Sequence, residues 1–344
     1  MRVEIFCTLG PASLRADVIR GLDALGVDLF RVNLSHTPLE AVGPTIELVR
    51  SWSSTPICLD TEGAQVRCGV MEPDVVLEAG QEVRLTAAGG EGTSRRLTLH
   101  PRATFATLRP GSQLSVDFDG ALLEVTEVDP EGATGVVVEG GRVGSNKAVT
   151  VDPAPVLPAL SDKDRQALEI GRLLGVRHVA LSFAARSEDV ALLRHLMGPE
   201  TRVISKIESR AGVRNMDSII SASDAVLIDR GDLSREVPLE HVPFYQKVVV
   251  RQANRWNRPV YVATNLLESM VTGRRPTVAE ADDIANTLLD GAHGLVLAAE
   301  TAIGVDPVGT VSMVQRVIAA FERWSMSSLL EEDRAQPRGV AAVS

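Results

Sequence analysis

Two groups of charged residues follow apolar runs that are typical of buried strands, and their types indicate chemistry. Lys206 ends the run at 202–206 and Glu208 follows it, and Asp232 follows the run at 225–229. Two carboxylates from adjacent strand ends can hold a hard divalent cation such as Mg²⁺. A lysine beside them can neutralise the charge that develops on a phosphoryl or enolate oxygen. The alternative is that Lys206 and Glu208 form only a local ion pair that caps a strand end.

Lysine is rare in this chain, which makes Lys206 informative. Of the 35 lysine and arginine residues, only Lys147, Lys163, Lys206 and Lys247 are lysine. Arginine would serve a surface ion pair equally well, but it does not replace lysine as a compact cation. A lysine retained at position 206 therefore favours a catalytic role. We expect Lys163 and Lys247 to lie on helix surfaces.

A further polar group follows the strand-like runs at 28–33 and 56–60. Arg31, Asn33 and Ser35 alternate, so they face one side of an extended strand end. Asn33 and Ser35, together with Asp60 and the Thr61 carbonyl, offer several oxygen atoms to a monovalent cation. Capping of loops by Asn and Ser explains the spacing equally well.

The segment Gly231-Asp232-Leu233 could begin a helical turn whose exposed N–H groups suit a carboxylate, although a plain turn is the commoner explanation. The sequence has no G-x-x-x-x-G-K-[ST] phosphate loop and no G-x-S-x-G elbow. Its histidines show no metal-ligand spacing, and we interpret all of them except His36 as structural.

These residues need a scaffold that gathers several strand ends in one place. Strand-like and helix-like segments alternate over residues 1–68 and 156–326, which predicts an α/β fold with eight parallel strands, the (β/α)₈ TIM barrel. An open doubly wound sheet is the alternative. Residues 69–155 instead alternate with period two between closely spaced turns, which predicts an inserted all-β lid domain after strand 3. We expect residues 327–344 to form a disordered tail.

The composition excludes several classes of protein. The chain has 344 residues, of which 44% are hydrophobic and 23% charged, as in globular proteins with a sizeable core. The formal charge of −10 argues against a nucleic-acid partner. We find no signal-peptide pattern and no apolar run long enough to cross a membrane. Three cysteines without paired spacing favour reduced thiols and a cytoplasmic location.

Taken together, the motifs resemble one family, pyruvate kinase. Five blocks match that family in order, namely Arg31-Val-Asn-Leu-Ser-His36, Ser205-Lys-Ile-Glu208, Arg230-Gly-Asp-Leu233, Ala263-Thr-Asn-Leu-Leu-Glu-Ser-Met270 and Glu300-Thr-Ala302. The resemblance covers about Val3 to Glu322. It implies a TIM barrel with a β-rich lid, and phosphoryl transfer from phosphoenolpyruvate to a nucleoside diphosphate such as ADP, giving pyruvate. It also implies a homodimer formed through the barrel.

The resemblance also implies roles for particular residues. The catalytic residues would be Lys206, Thr264 and Arg31, and the substrate would be bound by Gly231, Asp232, Thr264 and Ser182. The nucleotide would lie near His36, Arg67 and Lys147. Mg²⁺ or Mn²⁺ would be held by Glu208 and Asp232, and K⁺ by Asn33, Ser35, Asp60 and Thr61.

The chain also departs from the family pattern. Glu62 stands where the family has lysine, so the nucleotide side loses positive charge. Asp229 stands where the family usually has alanine, which adds an acidic group beside the metal pair. The sequence ends soon after the eighth helix, and we therefore expect no regulatory C-terminal domain.

Two alternative functions stay open. One is a repurposed enolate enzyme that acts on pyruvate or a related 2-oxo acid. The other is a binding protein that has lost catalysis, against which the retained lysine and carboxylates argue.

Overall fold

The computed structural model describes residues 2–63, 65–87, 89–117 and 120–324. The predicted tail at 327–344 lies outside these ranges. The first part of the chain forms β1 (Glu4–Thr8), α1 (Ala16–Ala24), β2 (Leu29–Asn33), α2 (Leu39–Arg50) and β3 (Ile57–Asp60).

A β-rich insertion follows β3. Its strands are β4 (Arg67–Cys68), β5 (Val76–Leu77), β6 (Glu82–Thr86), β7 (Arg96–His100), β8 (Gln113–Val116), β9 (Leu122–Asp129), β10 (Gly132–Glu139), β11 (Gly141–Arg142) and β12 (Val149–Asp152). A short 3₁₀ helix, Arg102–Ala106, follows β7.

The remainder of the described chain alternates strands with helices again. Its elements are α3 (Asp162–Leu173), β13 (His178–Leu181), α4 (Ser187–Met197), β14 (Arg202–Ile207), α5 (Arg210–Arg214), α6 (Met216–Ala222), β15 (Ala225–Asp229), α7 (Arg230–Glu236), α8 (Val242–Arg255), β16 (Val260–Ala263), α9 (Ser269–Thr272), α10 (Val278–Leu289), β17 (Gly294–Leu297), α11 (Ala299–Ala302) and α12 (Pro307–Glu322). A 3₁₀ helix, Leu239–His241, precedes α8.

Eight of these strands close into a parallel barrel in the order β1-β17-β16-β15-β14-β13-β3-β2. The predicted (β/α)₈ barrel is therefore confirmed, and the open doubly wound sheet was the wrong alternative. The strands are buried on both faces, which explains why they read as nearly continuous apolar runs. One core fills the space between strands and helices, and a small second core that contains Phe6, Tyr261 and Leu227 fills the barrel itself.

The insertion has a hydrophobic core of its own. Its main sheet has the order β12-β8-β9-β10-β6-β7-β4, and Leu85, Leu99 and Leu114 are among its buried side chains. Arg67 and Cys68 pair with β7 in this sheet, so the insertion's sheet begins two residues before the expected boundary at 69. Because the insertion leaves the barrel at the carboxyl end of β3, it lies beside the mouth at which catalytic groups of such barrels gather. Within the described ranges, every helix is too short or too polar to cross a lipid bilayer.

Candidate active site

A cavity of about 420 Å³ opens between the barrel mouth and the insertion. The residues named from the sequence line most of its wall, namely Arg31, Asn33, Ser35, His36, Asp60, Thr61, Arg67, Lys147, Ser182, Lys206 and Asp232. Glu208 lies behind Lys206, and Gly231 and Thr264 lie next to Asp229 at the end of β15. The barrel thus brings into one region residues that are far apart in the sequence.

Lys206 is the centre of a buried ionic cluster at the end of β14. Its Nζ lies 3.0 Å from Glu208 Oε2 and 3.6 Å from a carboxylate oxygen of both Asp60 and Asp229. The ammonium also donates a hydrogen bond of 3.2 Å to Ser182 Oγ. Lys206 is only 4% exposed, so its charge acts in a region from which water is largely excluded. The local ion pair of Lys206 and Glu208, which the sequence left open as the alternative, is present, but it is buried and the lysine is shared with Asp60 and Asp229.

The charges in this cluster shift one another's protonation. Burial acts to lower the pKa of Lys206, but Asp60, Glu208 and Asp229 outweigh it and raise the pKa. Burial raises the pKa of Glu208 to about 8, against the pull of Lys206. Burial also acts to raise the pKa of Asp229, yet Lys206 and Arg31 hold it below its ordinary value. The lysine is therefore fully charged near neutral pH.

Arg31 provides a second buried cation at the end of β2. Its Nε lies 3.3 Å from Asp60 Oδ2, and its Nη1 is buried without a hydrogen-bond partner among the residues that the structure describes. A buried, unpaired guanidinium nitrogen is costly, and an anionic ligand would satisfy it. Arg31 and Lys206 both line the cavity, so it presents two cations to an anionic group.

Three carboxylates converge beside Lys206. One oxygen from each of Glu208, Asp229 and Asp232 lies within 4.8 Å of the others, a spacing that suits a metal ion. Burial and the neighbouring charge of Asp229 raise the pKa of Asp232, as expected for crowded carboxylates. Sequence reasoning identified Glu208 and Asp232 as the pair and described Asp229 only as an acidic neighbour. The sequence feature that could have placed Asp229 in this group is its position directly before the Arg-Gly-Asp motif.

The oxygens expected to bind a monovalent cation are near one another, but several already have partners. Asn33 Oδ1 accepts a hydrogen bond from the backbone N–H of Ser35, at 2.9 Å. The Thr61 carbonyl accepts one from Ser182 Oγ, at 2.6 Å. Asn33 thus caps the strand end, which is the alternative that the spacing left open. Ser35, Asp60 and Thr61 still line the cavity.

Thr264 follows β16 in a strained conformation beside α7. Its φ of 69° lies in the left-handed region, which is unfavourable for a β-branched residue. Its hydroxyl accepts a hydrogen bond of 2.8 Å from Gly231 N, and it lies 3.2 Å from Asp229 Oδ1. Asp229 Oδ1 also lies 3.4 Å from Asp232 N. The backbone donors expected to bind a substrate carboxylate therefore already contact the side chains of Thr264 and Asp229.

The insertion contributes cations to the far side of the cavity. Lys147 forms an ion pair of 2.7 Å with Asp117, and Arg67 Nη1 donates to the carbonyl of Asn146 at 2.9 Å. His36 lines the same cavity from the barrel side. These three residues are brought together as the sequence predicts, although Lys147 is neutralised by a neighbour.

Two residues of α3 join this site, and sequence reasoning missed both. Lys163 is not a simple helix-surface residue, because its Nζ lies 3.7 Å from Glu62 Oε1 at the cavity. The buried Asp164 accepts hydrogen bonds from the backbone N–H groups of Glu62 and Gly63, at 2.7 and 3.1 Å. The signal for Asp164 was the spacing from Ser161, since a Ser-x-x-Asp sequence is typical of a helix N-terminus.

The fold and this mouth define a class, that of (β/α)₈-barrel enzymes with an ionic active site at the carboxyl ends of the strands. The model of one family, described as pyruvate kinase, barrel domain, matches residues 1–311. The chain is 37% identical to the pyruvate kinase of Methylorubrum extorquens over 99% of this chain and 73% of that protein. It is 38% identical to the pyruvate kinase of Corynebacterium efficiens, over 100% of this chain and 74% of the relative. The chain belongs to the pyruvate kinase family, as the sequence motifs predicted.

Proposed function

We propose that this protein transfers the phosphoryl group of phosphoenolpyruvate to a nucleoside diphosphate, giving pyruvate. The observation that carries the proposal is the buried Lys206, which faces a cavity beside Arg31 in a barrel of the pyruvate kinase family. The relatives named pyruvate kinase favour this transfer over a repurposed enolate enzyme, which would retain the same ionic cluster. The retained lysine and carboxylates argue against a binding protein that has lost catalysis.

Lys206 and Arg31 are the residues that stabilise the phosphoryl group in this proposal. During transfer, the bond between the enol oxygen and phosphorus breaks, and the acceptor oxygen forms the new bond. Two fixed cations in a water-poor cavity can neutralise the charge on the transferring group without reorganisation. The transfer releases the enolate of pyruvate, which becomes pyruvate when its methylene carbon takes up a proton. We assign Thr264 to the side on which that proton arrives.

The carboxylates fit a divalent cation, which we propose to be Mg²⁺ or Mn²⁺ held by Glu208 and Asp232. Glu208 Oε2 is buried and accepts no hydrogen bond from the described part of the chain. When bound, such a cation supplies charge that polarises the phosphoryl and enolate oxygens. We assign Asn33, Ser35, Asp60 and Thr61 to K⁺, and Ser182, Gly231, Asp232 and Thr264 to substrate binding.

For the nucleotide we propose the side of the cavity that the insertion covers. His36, Arg67 and Lys147 line it, and Arg67 brings a cationic group to the diphosphate, whereas the charge of Lys147 is offset by Asp117. Glu62 also lines this side, where the family has lysine, but Lys163 lies 3.7 Å from it and offsets its charge. A nucleoside diphosphate such as ADP therefore stays compatible with the site.

A dimer formed through the barrel and a cytoplasmic location remain predictions. Leu239, Phe244 and Val248 are exposed apolar side chains in and just before α8, as a surface covered by a second copy would be. Light scattering of the purified protein would measure its mass in solution. Cys7, Cys58 and Cys68 are buried and reduced, in agreement with a reducing compartment.

The test is a coupled assay for pyruvate. Purified protein is incubated with phosphoenolpyruvate, ADP, Mg²⁺ and K⁺, and pyruvate is reduced by added lactate dehydrogenase. We expect turnover that Lys206→Met removes. Lys247→Met makes the same change at an exposed lysine paired with Asp290, and we expect it to keep the rate. Absence of pyruvate with every nucleoside diphosphate, while Lys247→Met and the wild type fold normally, would sink the proposal.

A further inference from the structure

Asp229 belongs to the carboxylate cluster but has no role in the assignment above. It ends β15, is 4% exposed, and places one oxygen within 4.8 Å of ligand atoms of Glu208 and Asp232. We propose that Asp229 is a third protein ligand of the divalent cation, and that it strengthens the binding of this cation to the substrate-free protein. This inference rests on the proposed function, since it concerns the same metal site.

The first argument is that one carboxylate oxygen of Glu208 lacks a hydrogen bond. Its Oε1 accepts a hydrogen bond of 2.8 Å from Phe183 N, but its Oε2 is buried and accepts none within the described ranges. The Lys206 ammonium, 3.0 Å away, is shared with Asp60 and Asp229. A buried carboxylate oxygen in this position is left undersatisfied by the protein, and a cation among the three carboxylates would satisfy it.

The second argument is the charge of the buried groups. Lys206 and Arg31 are the buried cations of the cluster, and Asp60, Glu208 and Asp229 are its buried carboxylates. Asp232 forms a separate ion pair with Arg235, at 3.2 Å. When all three carboxylates are ionised, as metal binding requires, the buried set carries one negative charge more than Lys206 and Arg31 neutralise, and without Asp229 the charges would balance. An uncompensated charge is expensive to bury, so a bound cation explains why an acid is tolerated there.

Helix capping is the competing explanation for Asp229. Its Oδ1 lies 3.4 Å from Asp232 N, at the start of α7, and 3.2 Å from Thr264 Oγ1. Asparagine caps a helix about as well as aspartate does, because either side chain offers an oxygen to the backbone N–H. Capping therefore does not require the charge, whereas a third metal ligand does. Asp229→Asn separates the two explanations.

The third carboxylate should raise the affinity of the site for the cation. Mg²⁺ sites commonly use one or two carboxylates, and water and substrate oxygens complete the coordination. Because Asp229 adds a further negative charge and ligand atom, we expect the substrate-free protein to bind a divalent cation more tightly than a variant without this carboxylate does.

The experiment is a titration of the full chain with Mn²⁺ in the absence of substrate, with free Mn²⁺ measured by electron paramagnetic resonance. We expect Asp229→Asn to raise the Kd for Mn²⁺ about tenfold or more, as for other losses at metal sites. Asp229→Glu keeps the carboxylate and should remain within a few-fold of the wild type. Asp306→Asn is the matched control, because Asp306 caps α12 through Gly309 N at 2.9 Å and does not line the cavity.

The outcomes separate this inference from the proposed function. The inference fails if the wild type binds no Mn²⁺ without substrate, or if Asp229→Asn binds it as tightly as the wild type does. The pyruvate assay on the same preparations decides the proposed function independently. A wild type that binds Mn²⁺ tightly but forms no pyruvate would overturn only the function. Circular dichroism of Asp229→Asn verifies its folding, and Asp229→Glu provides the second variant if it unfolds.

Discussion

Lys163 Nζ lies 3.7 Å from Glu62 Oε1 and donates a hydrogen bond of 2.5 Å to the carbonyl of Leu34. The contact links the first turn of α3 to the loops after β2 and β3, across the whole inserted segment. It also changes the meaning of Glu62. An unpaired acid there would repel an anionic nucleotide, whereas a paired one leaves little net charge.

Replacement of Glu62 should therefore improve nucleotide binding by a modest amount. We expect Glu62→Gln to lower KM for ADP about two- to fivefold, because Lys163 then presents an unpaired charge and a pair that is still partly open to solvent contributes up to about 1 kcal/mol. KM for phosphoenolpyruvate should not change, and the gain should shrink at high ionic strength.

Lys163→Gln is the opposite variant and should raise KM for ADP, because it leaves Glu62 unpaired. Steady-state kinetics at two salt concentrations would measure both effects. If neither variant moves KM for ADP, Glu62 does not face the nucleotide.

Loss of the Lys206 charge should affect both turnover and stability. We expect Lys206→Met to lower kcat at least about a thousandfold, because the ammonium neutralises charge on the transferring group. The same change leaves three buried carboxylates without their shared cation, which should cost about 3–5 kcal/mol in free energy of unfolding. Thermal unfolding with and without Mn²⁺ would measure the loss, and Mn²⁺ should restore part of it.

Lys247→Met is the control for both measurements, since Lys247 pairs with Asp290 at an exposed site. A Lys206→Met variant with normal turnover would contradict the assignment of the whole site.

The barrel could be predicted from the sequence because its pattern is local. Strands buried on both faces read as apolar runs, and the polar residues that follow them, such as Arg31, Asp60 and Lys206, must lie at the strand ends. The candidate site could be located for the same reason. Its position needed only the order of the strands and the rule that parallel strands share a carboxyl edge.

Contacts between distant loops could not be predicted in this way. Glu62 and Lys163 are 101 positions apart and lie on opposite sides of the insertion, so no local period connects them. The backbone strain at Thr264 was also invisible, because a positive φ at a β-branched residue is maintained by its surroundings and not by its own preference. Hydrophobic periodicity and secondary-structure propensity are local properties, so they predict neither this contact nor this backbone angle.

Asp164 should stabilise the connection between the barrel and the end of β3. Its carboxylate accepts hydrogen bonds from Glu62 N, Gly63 N, Ser161 N and Ser161 Oγ, at 2.7, 3.1, 3.0 and 2.9 Å. We expect Asp164→Ala to lower the free energy of unfolding by about 3 kcal/mol, because buried backbone donors lose a charged acceptor. Urea unfolding would measure this.

The matched control is Asp162→Ala, which removes an exposed aspartate from the same first turn and should cost far less. Equal losses in the two variants would show that Asp164 contributes only a negative charge in the first turn of the helix, as Asp162 does. A lower kcat/KM in Asp164→Ala alone would show that this residue also positions the Glu62 loop.

The stability of the fold should fall in mild acid because two histidines are partly buried. Burial lowers the pKa of His178 and of His293, whose Nδ1 accepts a hydrogen bond of 3.3 Å from Val260 N. The unfolded chain therefore takes up protons first, and the free energy of unfolding decreases as the pH falls below about 6.5. Above that pH the two imidazoles are neutral in both the folded and the unfolded state. They then do not change how the free energy of unfolding depends on pH.

Urea unfolding at several pH values would test this. A His178→Gln, His293→Gln double variant should lose less stability than the wild type between pH 7 and pH 5. His195→Gln alters an exposed histidine and should leave the slope unchanged. If the free energy of unfolding depends on pH equally in the wild type and the double variant, these histidines are not the cause of the loss of stability in acid.

Arg230 should act as a positioning residue for Thr264. Its Nε and Nη2 donate hydrogen bonds of 3.1 and 2.6 Å to the Thr264 carbonyl, and its Nη1 lies 2.8 Å from Asp283. We expect this fork to help maintain Thr264 at its unfavourable φ of 69°. Lysine cannot make both contacts, so we expect Arg230→Lys to lower kcat about 10- to 100-fold, since small misplacements are costly in catalysis. KM for ADP should stay constant, because Arg230 does not line the nucleotide side of the cavity.

Asp283→Asn is the control variant. It weakens the ion pair with Arg230 but leaves both hydrogen bonds to the Thr264 carbonyl, so it should give a smaller loss of kcat. If Arg230→Lys lowers the melting temperature but keeps kcat, the fork serves folding only, and the strained Thr264 does not need it for catalysis.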